Sequence, residues 1–153
     1  MKKYILIFIL FILITFYSCN TNYKIKRYIE SNCDFDKSDV CYINLKKALK
    51  TDYDTMYIFG GTTSAEEVSK IINLKYTNNN WNDDSWKIVL VKNREIVYED
   101  EYYSRNISFF QYEDYRYAGC IGYDLYTDSM FYVKKLKKAS GAYFYRLSVE
   151  SLE

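Results

Sequence analysis

The chain contains no histidine, and this absence excludes more chemistry than any other feature of its composition. Histidine is the commonest general base near neutral pH and the commonest metal ligand in proteins. Serine or cysteine nucleophiles therefore lack their usual partner, and the motif Gly-x-Ser-x-Gly does not occur. We expect no catalytic residue of the familiar hydrolase kind, no metal site and no cofactor. Proline is absent too, while tyrosine, lysine, isoleucine and asparagine are abundant, which is typical of an AT-rich genome.

An excess of charge of either sign is also lacking. The chain has 21 lysines and arginines and 20 acidic residues, and because Lys2 and Lys3 lie in the first 18 residues, 19 basic and 20 acidic side chains remain beyond them. A balance this even gives no electrostatic reason to expect nucleic acid as a partner. At 153 residues the chain has room for one domain with one hydrophobic core.

The apolar run near the start of the chain is too short to cross a membrane. It covers Tyr4–Tyr17 and is broken only by Thr15. A helix of this length rises about 21 Å, whereas the hydrocarbon core of a bilayer is about 30 Å thick. Two lysines precede the run, and Ser18 and Cys19 follow it before the chain turns polar. This order predicts a cleaved leader better than an uncleaved anchor helix.

The same order of basic, apolar, small residue and cysteine resembles the signal of bacterial lipoproteins over about the first twenty residues. Ser18 and Cys19 match the family motif, whereas Phe16 stands where the family usually has leucine. The resemblance implies that residues 1–18 are a signal peptide, removed by a lipoprotein signal peptidase, and that the Cys19 thiol carries a diacylglyceryl group. Two or more acyl chains hold a protein stably at a membrane. By the sorting rule known for enteric bacteria, Asn20 favours the outer membrane.

Export would place the remaining three cysteines in an oxidising compartment, where disulfides persist. Cys33 and Cys41 enclose a short loop, and we predict a disulfide between them that stabilises by about 2–3 kcal/mol through the unfolded state. Cys120 is then left over, and we expect it to be a small buried hydrophobe. A zinc site would need four closely spaced ligands without the help of histidine, and we do not expect one.

Hydrophobic periodicity predicts a single α+β domain over residues 41–153. A lipidated N-terminus and tether, with a short helix around Tyr23 to Glu30, is expected over 19–40. Ser64-Ala65-Glu66-Glu67 is a capping box followed by apolar residues at three- and four-residue spacing, which predicts one main helix over about 64–74. We expect an antiparallel sheet of four to six strands with this helix packed on one face.

Three parts of the chain carry strand patterns. Met56 to Phe59 is a compact apolar strand that ends at a glycine pair. Residues 86–91 and 95–102 flank the dipeptide Asn93-Arg94 and predict a hairpin. Residues 131–136 and 142–149 predict a second hairpin around Gly141.

Aromatic residues are concentrated between the two predicted hairpins. Tyrosine offers a flat apolar face and a polar tip, which suits the binding of sugars or peptides. The candidates for such a binding surface are Phe109, Phe110, Tyr112, Tyr115 and Tyr117. The alternative is that a small domain packs these rings in its core.

Other polar segments offer weaker alternatives. Glu99-Asp100-Glu101 and Glu113-Asp114 could supply the two carboxylates of a glycan hydrolase, which stand about 5–10 Å apart. Residues 34–39 are similar to the opening of a calcium loop, but the glycine at loop position six is missing. Residues 58–64 run from a strand through two glycines into a helix start, a geometry that can cradle phosphate. No lysine accompanies this segment and two glutamates follow it, so we predict a structural turn.

These observations predict a membrane-anchored lipoprotein of the bacterial cell envelope whose domain binds a protein or a glycan without catalysis. An immunity or accessory protein that blocks a partner is one subclass. The alternative is a small enzyme that uses carboxylates, such as a glycan hydrolase. A deep pocket with two converging acids would favour the enzyme, whereas an exposed patch of tyrosines would favour binding.

Overall fold

The computed structural model of the protein describes residues 21–80, 82, 85–103, 106–109 and 123–149, and for 123–126 it describes the backbone alone. The fold is α+β, as predicted. Its elements in chain order are α1 (Thr21–Asn32), β1 (Val40–Asn44), α2 (Leu45–Leu49), β2 (Thr55–Gly60), α3 (Ala65–Ile72), β3 (Trp86–Lys92), β4 (Glu95–Tyr102), β5 (Ile107–Phe109), β6 (Tyr123–Tyr126), β7 (Met130–Lys137) and β8 (Tyr143–Ser148).

The strands of the described residues form two four-stranded sheets, so the prediction of a single sheet is wrong. Sheet A has the order β1-β7-β8-β5, and sheet B has the order β4-β3-β2-β6. Neighbouring strands are antiparallel except β5 and β8, which run parallel. The alternation of apolar and polar residues in two neighbouring strands specifies how those two strands pair and nothing more. It does not specify that β1 pairs with β7, far away in sequence, and such pairings divide the strands between two sheets.

Both predicted hairpins are present. β3 and β4 are joined by Asn93 and Arg94, whose φ angles of 50° and 64° are those of a type I′ turn, the turn that matches the twist of the flanking strands. A β-bulge follows, because the register shifts between Leu90 and Val91. β7 and β8 are joined through Gly141, whose φ of 84° favours glycine.

The main core contains apolar side chains from the facing sides of the two sheets. Ile58 and Ile88 from sheet B and Phe131 from sheet A are at most 1% exposed and belong to one cluster. Three rings connect the sheets: Phe109 lies edge-on to Tyr102 of β4 at 5.3 Å between centroids and to Phe131 of β7 at 5.8 Å. Edge-to-face packing of this kind stabilises beyond the area it buries.

Helix α3 confirms the predicted capping box but is not the one main helix. The Ser64 side chain accepts from the backbone N–H of Glu67, and the Glu67 carboxylate accepts from the backbone N–H of Ser64. Val68 and Ile72 pack with Phe59 on the face of sheet B that points away from the main core. At 8 residues α3 is shorter than α1, which has 12 residues.

Helix α1 extends beyond the short helix expected around Tyr23 to Glu30 and packs into the main core. Ile25 and Ile29 are both fully buried there. The start of α1 is fixed to sheet B, because the Thr21 backbone N–H and hydroxyl both donate to Asp100 of β4, at 2.8 and 2.7 Å. The segment expected to be a tether thus contributes a helix to the folded body.

A disulfide joins Cys33, just after α1, to Cys41 in β1, with the Cα atoms 5.6 Å apart. The cross-link holds the end of α1 against sheet A. Cys19, the predicted lipidation site, and Cys120, the predicted small buried hydrophobe, lie outside the described residues.

Candidate functional site

Of the five residues predicted to form an aromatic binding surface, Phe109 alone lies among the described residues. It is 8% exposed and packs between Tyr102 and Phe131 in the main core. Phe109 therefore holds the two sheets together and is not part of an exposed surface, which corrects the prediction for this residue. Phe110, Tyr112, Tyr115 and Tyr117 lie outside the described residues.

A different group of aromatic side chains is exposed on the outer face of sheet A. The alternation of β1 buries Ile43 and turns Tyr42 outward, and that of β7 buries Phe131 and turns Met130 and Tyr132 outward. Tyr42 is 58% exposed and Met130 is 43% exposed. We call Tyr42, Tyr132 and Met130 the tyrosine patch.

The two rings of the tyrosine patch are held together. Tyr42 and Tyr132 are directly opposite each other in the β1–β7 pair, and their ring centroids are 4.2 Å apart with planes tilted by 50°. A hydrogen bond to the Tyr132 phenol raises the pKa of Tyr42 above its ordinary value. The patch therefore offers flat apolar faces next to hydroxyl groups.

The rest of this face is apolar, uncharged polar or basic. Lys134 of β7 lies directly opposite Arg146 of β8, two residues along from Tyr132. Asn44 lies opposite Met130, where it caps α2 by accepting from the Lys47 backbone N–H at 3.1 Å. The described strand residues of this face include no acidic side chain; they are Val40, Tyr42, Asn44, Ser108, Met130, Tyr132, Lys134, Leu136, Phe144, Arg146 and Ser148. Such a face suits a partner with carbonyl, hydroxyl or acidic groups.

The acidic run of β4 is divided between the two faces of sheet B. Strand alternation turns Asp100 to the α1 side of sheet B and Glu99 and Glu101 to the other. Asp100 accepts from Thr21 and, at 3.0 Å, from the Tyr98 hydroxyl. Burial and the neighbouring Asp100 carboxylate raise the pKa of Tyr98 to about 12, against a lowering contribution from its hydrogen bond to Thr21.

The two glutamates of this run are also used as hydrogen-bond acceptors. Glu101 accepts from the Asn82 backbone N–H at 2.6 Å and from the Ser85 hydroxyl at 3.1 Å, and so holds the start of β3. Glu99 accepts from the Asn78 side chain at 3.1 Å. Each carboxylate orders a loop. Glu113 and Asp114 lie outside the described residues.

The glycine-containing segment 58–64 is a turn closed by a hydrogen bond from the Thr63 backbone N–H to the Gly60 carbonyl, at 3.0 Å. Glu67 occupies the place where an anion would bind, and the backbone N–H of Ser64 lowers its pKa. Lys87 also joins this turn, which the sequence pattern did not predict. It is 2% exposed and its ammonium group donates to the Thr63 carbonyl. Nothing in the sequence around Lys87 predicts that this lysine is buried beneath α3.

No group of three or more histidine, cysteine or acidic side chains that could hold a metal occurs within the described ranges. In the segment similar to a calcium loop, Asp34 pairs with Lys37 at 2.6 Å and accepts from the Asp36 backbone N–H at 3.3 Å. Among the helices that the structure describes, none is both long and apolar enough to span a bilayer.

No protein-family model, curated protein or solved structure matches the chain. Function must therefore be argued from the chain's own surfaces.

Proposed function

We propose that this protein is a lipid-anchored lipoprotein of the bacterial cell envelope whose domain binds a protein or a glycan, without catalysis, through the tyrosine patch. The observation that carries the proposal is the exposure of Tyr42 at 58% on a sheet face whose other side is core. An immunity or accessory role, in which the domain covers a partner's surface, needs no more than such a face.

The chemistry of the patch supports binding. Tyrosine and methionine are enriched in the cores of protein interfaces, and tyrosine brings a large rigid surface at little cost in side-chain entropy. Carbohydrates stack their C–H faces on aromatic rings and hydrogen-bond to nearby hydroxyls, which the paired phenols of Tyr42 and Tyr132 provide. Because these side chains stand on two paired strands, a partner would order few additional residues on binding.

The fold constrains how the domain would sit at the membrane. One residue, Asn20, separates the proposed lipid-bearing Cys19 from Thr21, which is hydrogen-bonded to Asp100. Two residues of extended chain span at most about 7 Å. The folded body would therefore lie directly on the bilayer surface, with α1 beginning at the headgroups. Asn20 after the cysteine favours the outer membrane if the host has one.

The anchor is tested by metabolic labelling with an alkyne analogue of palmitate. We expect label on the wild-type protein and none on the Cys19→Ala variant, since the thiol is the proposed acceptor. Cys33→Ala/Cys41→Ala is the matched control and should keep its label. Equal labelling of wild type and Cys19→Ala would refute the anchor and leave the proposal about the tyrosine patch standing.

The tyrosine patch is tested by photo-crosslinking in intact cells. We would replace Tyr42 by p-benzoylphenylalanine and, as a matched control, Val97 of β4, which is 40% exposed on the other sheet. A partner seated on the patch should give a discrete adduct from position 42 that is absent at position 97 and lost in Tyr132→Ala. Protease or glycosidase sensitivity of the adduct then identifies it as protein or glycan. Equal adducts from both positions, or none from position 42, would contradict the proposal.

A further inference from the structure

A groove lies between α1 and α2, away from the tyrosine patch. Its volume is about 580 Å³, within the range of small-molecule sites in proteins. α1 contributes one wall over Tyr23–Asn32, and α2 with the residue after it contributes the other over Lys47–Lys50. The two helices pack against each other, so the groove is a built feature of the fold.

Positive charge is concentrated in this groove, although the chain as a whole has almost no net charge. Lys24, Arg27, Lys47 and Lys50 line it, and its lining residues include no acid. The formal net charge of the whole chain is only +1. Four cationic side chains around one cavity are therefore a local segregation of charge, and such a cavity attracts anions.

Ion pairs divide the basic residues of the two helices into two groups. Lys26 pairs with Glu30 at 3.7 Å and Lys46 pairs with Asp52 at 3.1 Å, and neither lysine lines the groove. Arg27 and Lys47, their immediate neighbours in sequence, do line it and have no ion pair among the described residues. The same is true of Lys50. Lys24 is different, because its ammonium group donates to the Tyr98 hydroxyl at 3.4 Å and lies over the Tyr98 ring. Arg27, Lys47 and Lys50 are therefore the cations of the groove whose charges stay available.

The remaining lining is apolar and hydroxyl-bearing. Tyr23 is 50% exposed at the rim, and Ala48 and Leu49 form a floor that is buried in the fold. At the end of α1, the Ser31 hydroxyl and the Asn32 amide each donate at 2.8 Å to a carbonyl one turn back. Both polar groups are therefore engaged within α1. The groove therefore combines cations with a surface for a small organic group.

We infer that this groove binds a phosphate ester, with the phosphate between Arg27 of α1 and Lys47 and Lys50 at the end of α2, and the organic part against Tyr23 and Leu49. Phosphate is favoured over carboxylate because it carries up to two charges and three acceptor oxygens, and cations converge on it from both walls. The ester could be the headgroup of an anionic phospholipid or a soluble phosphorylated molecule. The inference does not depend on the proposed function, because it concerns another surface.

The test is calorimetric titration of the full chain in a neutral detergent. The probes are monomeric dihexanoyl phosphatidylglycerol and glycerol 3-phosphate, with dihexanoyl phosphatidylcholine as the zwitterionic control. The site variant is Arg27→Gln/Lys47→Gln/Lys50→Gln. The matched variant is Lys26→Gln/Lys37→Gln/Lys70→Gln, which removes the same charge outside the groove.

We expect the site variant to bind the anionic probes at least about tenfold more weakly, since charge-assisted hydrogen bonds are lost. The matched variant should lose less than about twofold, because distant exposed charges are screened by salt. If the protein binds phosphatidylglycerol and not glycerol 3-phosphate, the ligand is a membrane headgroup. If it binds both probes, the site also accepts soluble phosphate esters.

Three outcomes would overturn the inference. They are no binding of either anionic probe up to about 10 mM, equal weakening in both triple variants, and equal affinity for the zwitterionic control. In each case the lysines of α2 would serve only the dipole at the end of their helix. If the triple variant fails to fold, the single variants Arg27→Gln and Lys47→Gln replace it, and each should weaken binding where Lys26→Gln does not.

Discussion

Truncation of Ile29 tests whether α1 is part of the folded body or a tether. Ile29 is fully buried in the main core on the inner side of α1. Replacing a fully buried isoleucine by alanine removes its transfer free energy and leaves a cavity, at a cost of about 2–5 kcal/mol. A tether would lose almost nothing. Ile29→Val, which removes one methyl group, should cost about 0.5–1.5 kcal/mol.

The measurement is urea unfolding of the full chain, followed by circular dichroism and extrapolated linearly. With an m-value of about 2 kcal/mol/M, the alanine variant should unfold about 1–2.5 M earlier than wild type. Lys26→Ala on the outer side of the same helix is the control. It removes an exposed ion pair with Glu30 and should cost no more than about 0.5 kcal/mol. An Ile29→Ala variant as stable as Lys26→Ala would refute the packing of α1.

Two further predictions concern a carboxylate and the disulfide. Hydrogen bonds from Lys92 and then Lys46 lower the pKa of Asp52 to about 2, so the stability that Asp52 adds is present above its unfolded pKa and is lost as the pH falls through the folded value. The urea midpoints of wild type and Asp52→Asn should therefore differ at pH 5 and converge towards pH 2; a gap that widens on acidification would contradict this. Reduction of the Cys33–Cys41 disulfide should lower the free energy of unfolding by about 2–3 kcal/mol, and the Cys33→Ser/Cys41→Ser variant should be indifferent to the reductant. Wild type whose urea midpoint does not change with reductant would show that the bridge adds nothing.

The location of the candidate site was only partly accessible from the sequence. The density of aromatic residues in the sequence singled out Phe109, but its ring packs between the two sheets and belongs to the core. Tyr42 and Tyr132 had a weaker signal, which is their alternation with buried neighbours. That signal shows that they point away from the core. It does not show that the two strands pair and bring the rings together.

The basic groove had no sequence signal. Arg27 and Lys47 are twenty residues apart, and nothing in the charge pattern distinguishes them from Lys26 and Lys46 beside them. Which neighbour faces the groove depends on the rotation of each helix about its axis. That rotation is set by the residues the helix buries, here Ile25 and Ile29 in α1.

The sequence by itself determined the local structure wherever a short-range rule was strong. The capping box fixed the start of α3, Asn93-Arg94 fixed the turn between β3 and β4, and Gly141 fixed the turn of the second hairpin. These features depend on a few neighbouring residues, whose backbone preferences and side-chain hydrogen bonds act within one turn.

Tertiary structure alone decided how these pieces combine. The division into two sheets, the parallel pairing of β5 with β8 and the burial of Lys87 all involve residues far apart in the chain. Side-chain alternation tells which residues share a face, but it carries no information about the partner on which that face packs. The free energy that selects the partner comes from apolar area buried between distant segments, and it exists only in the assembled fold.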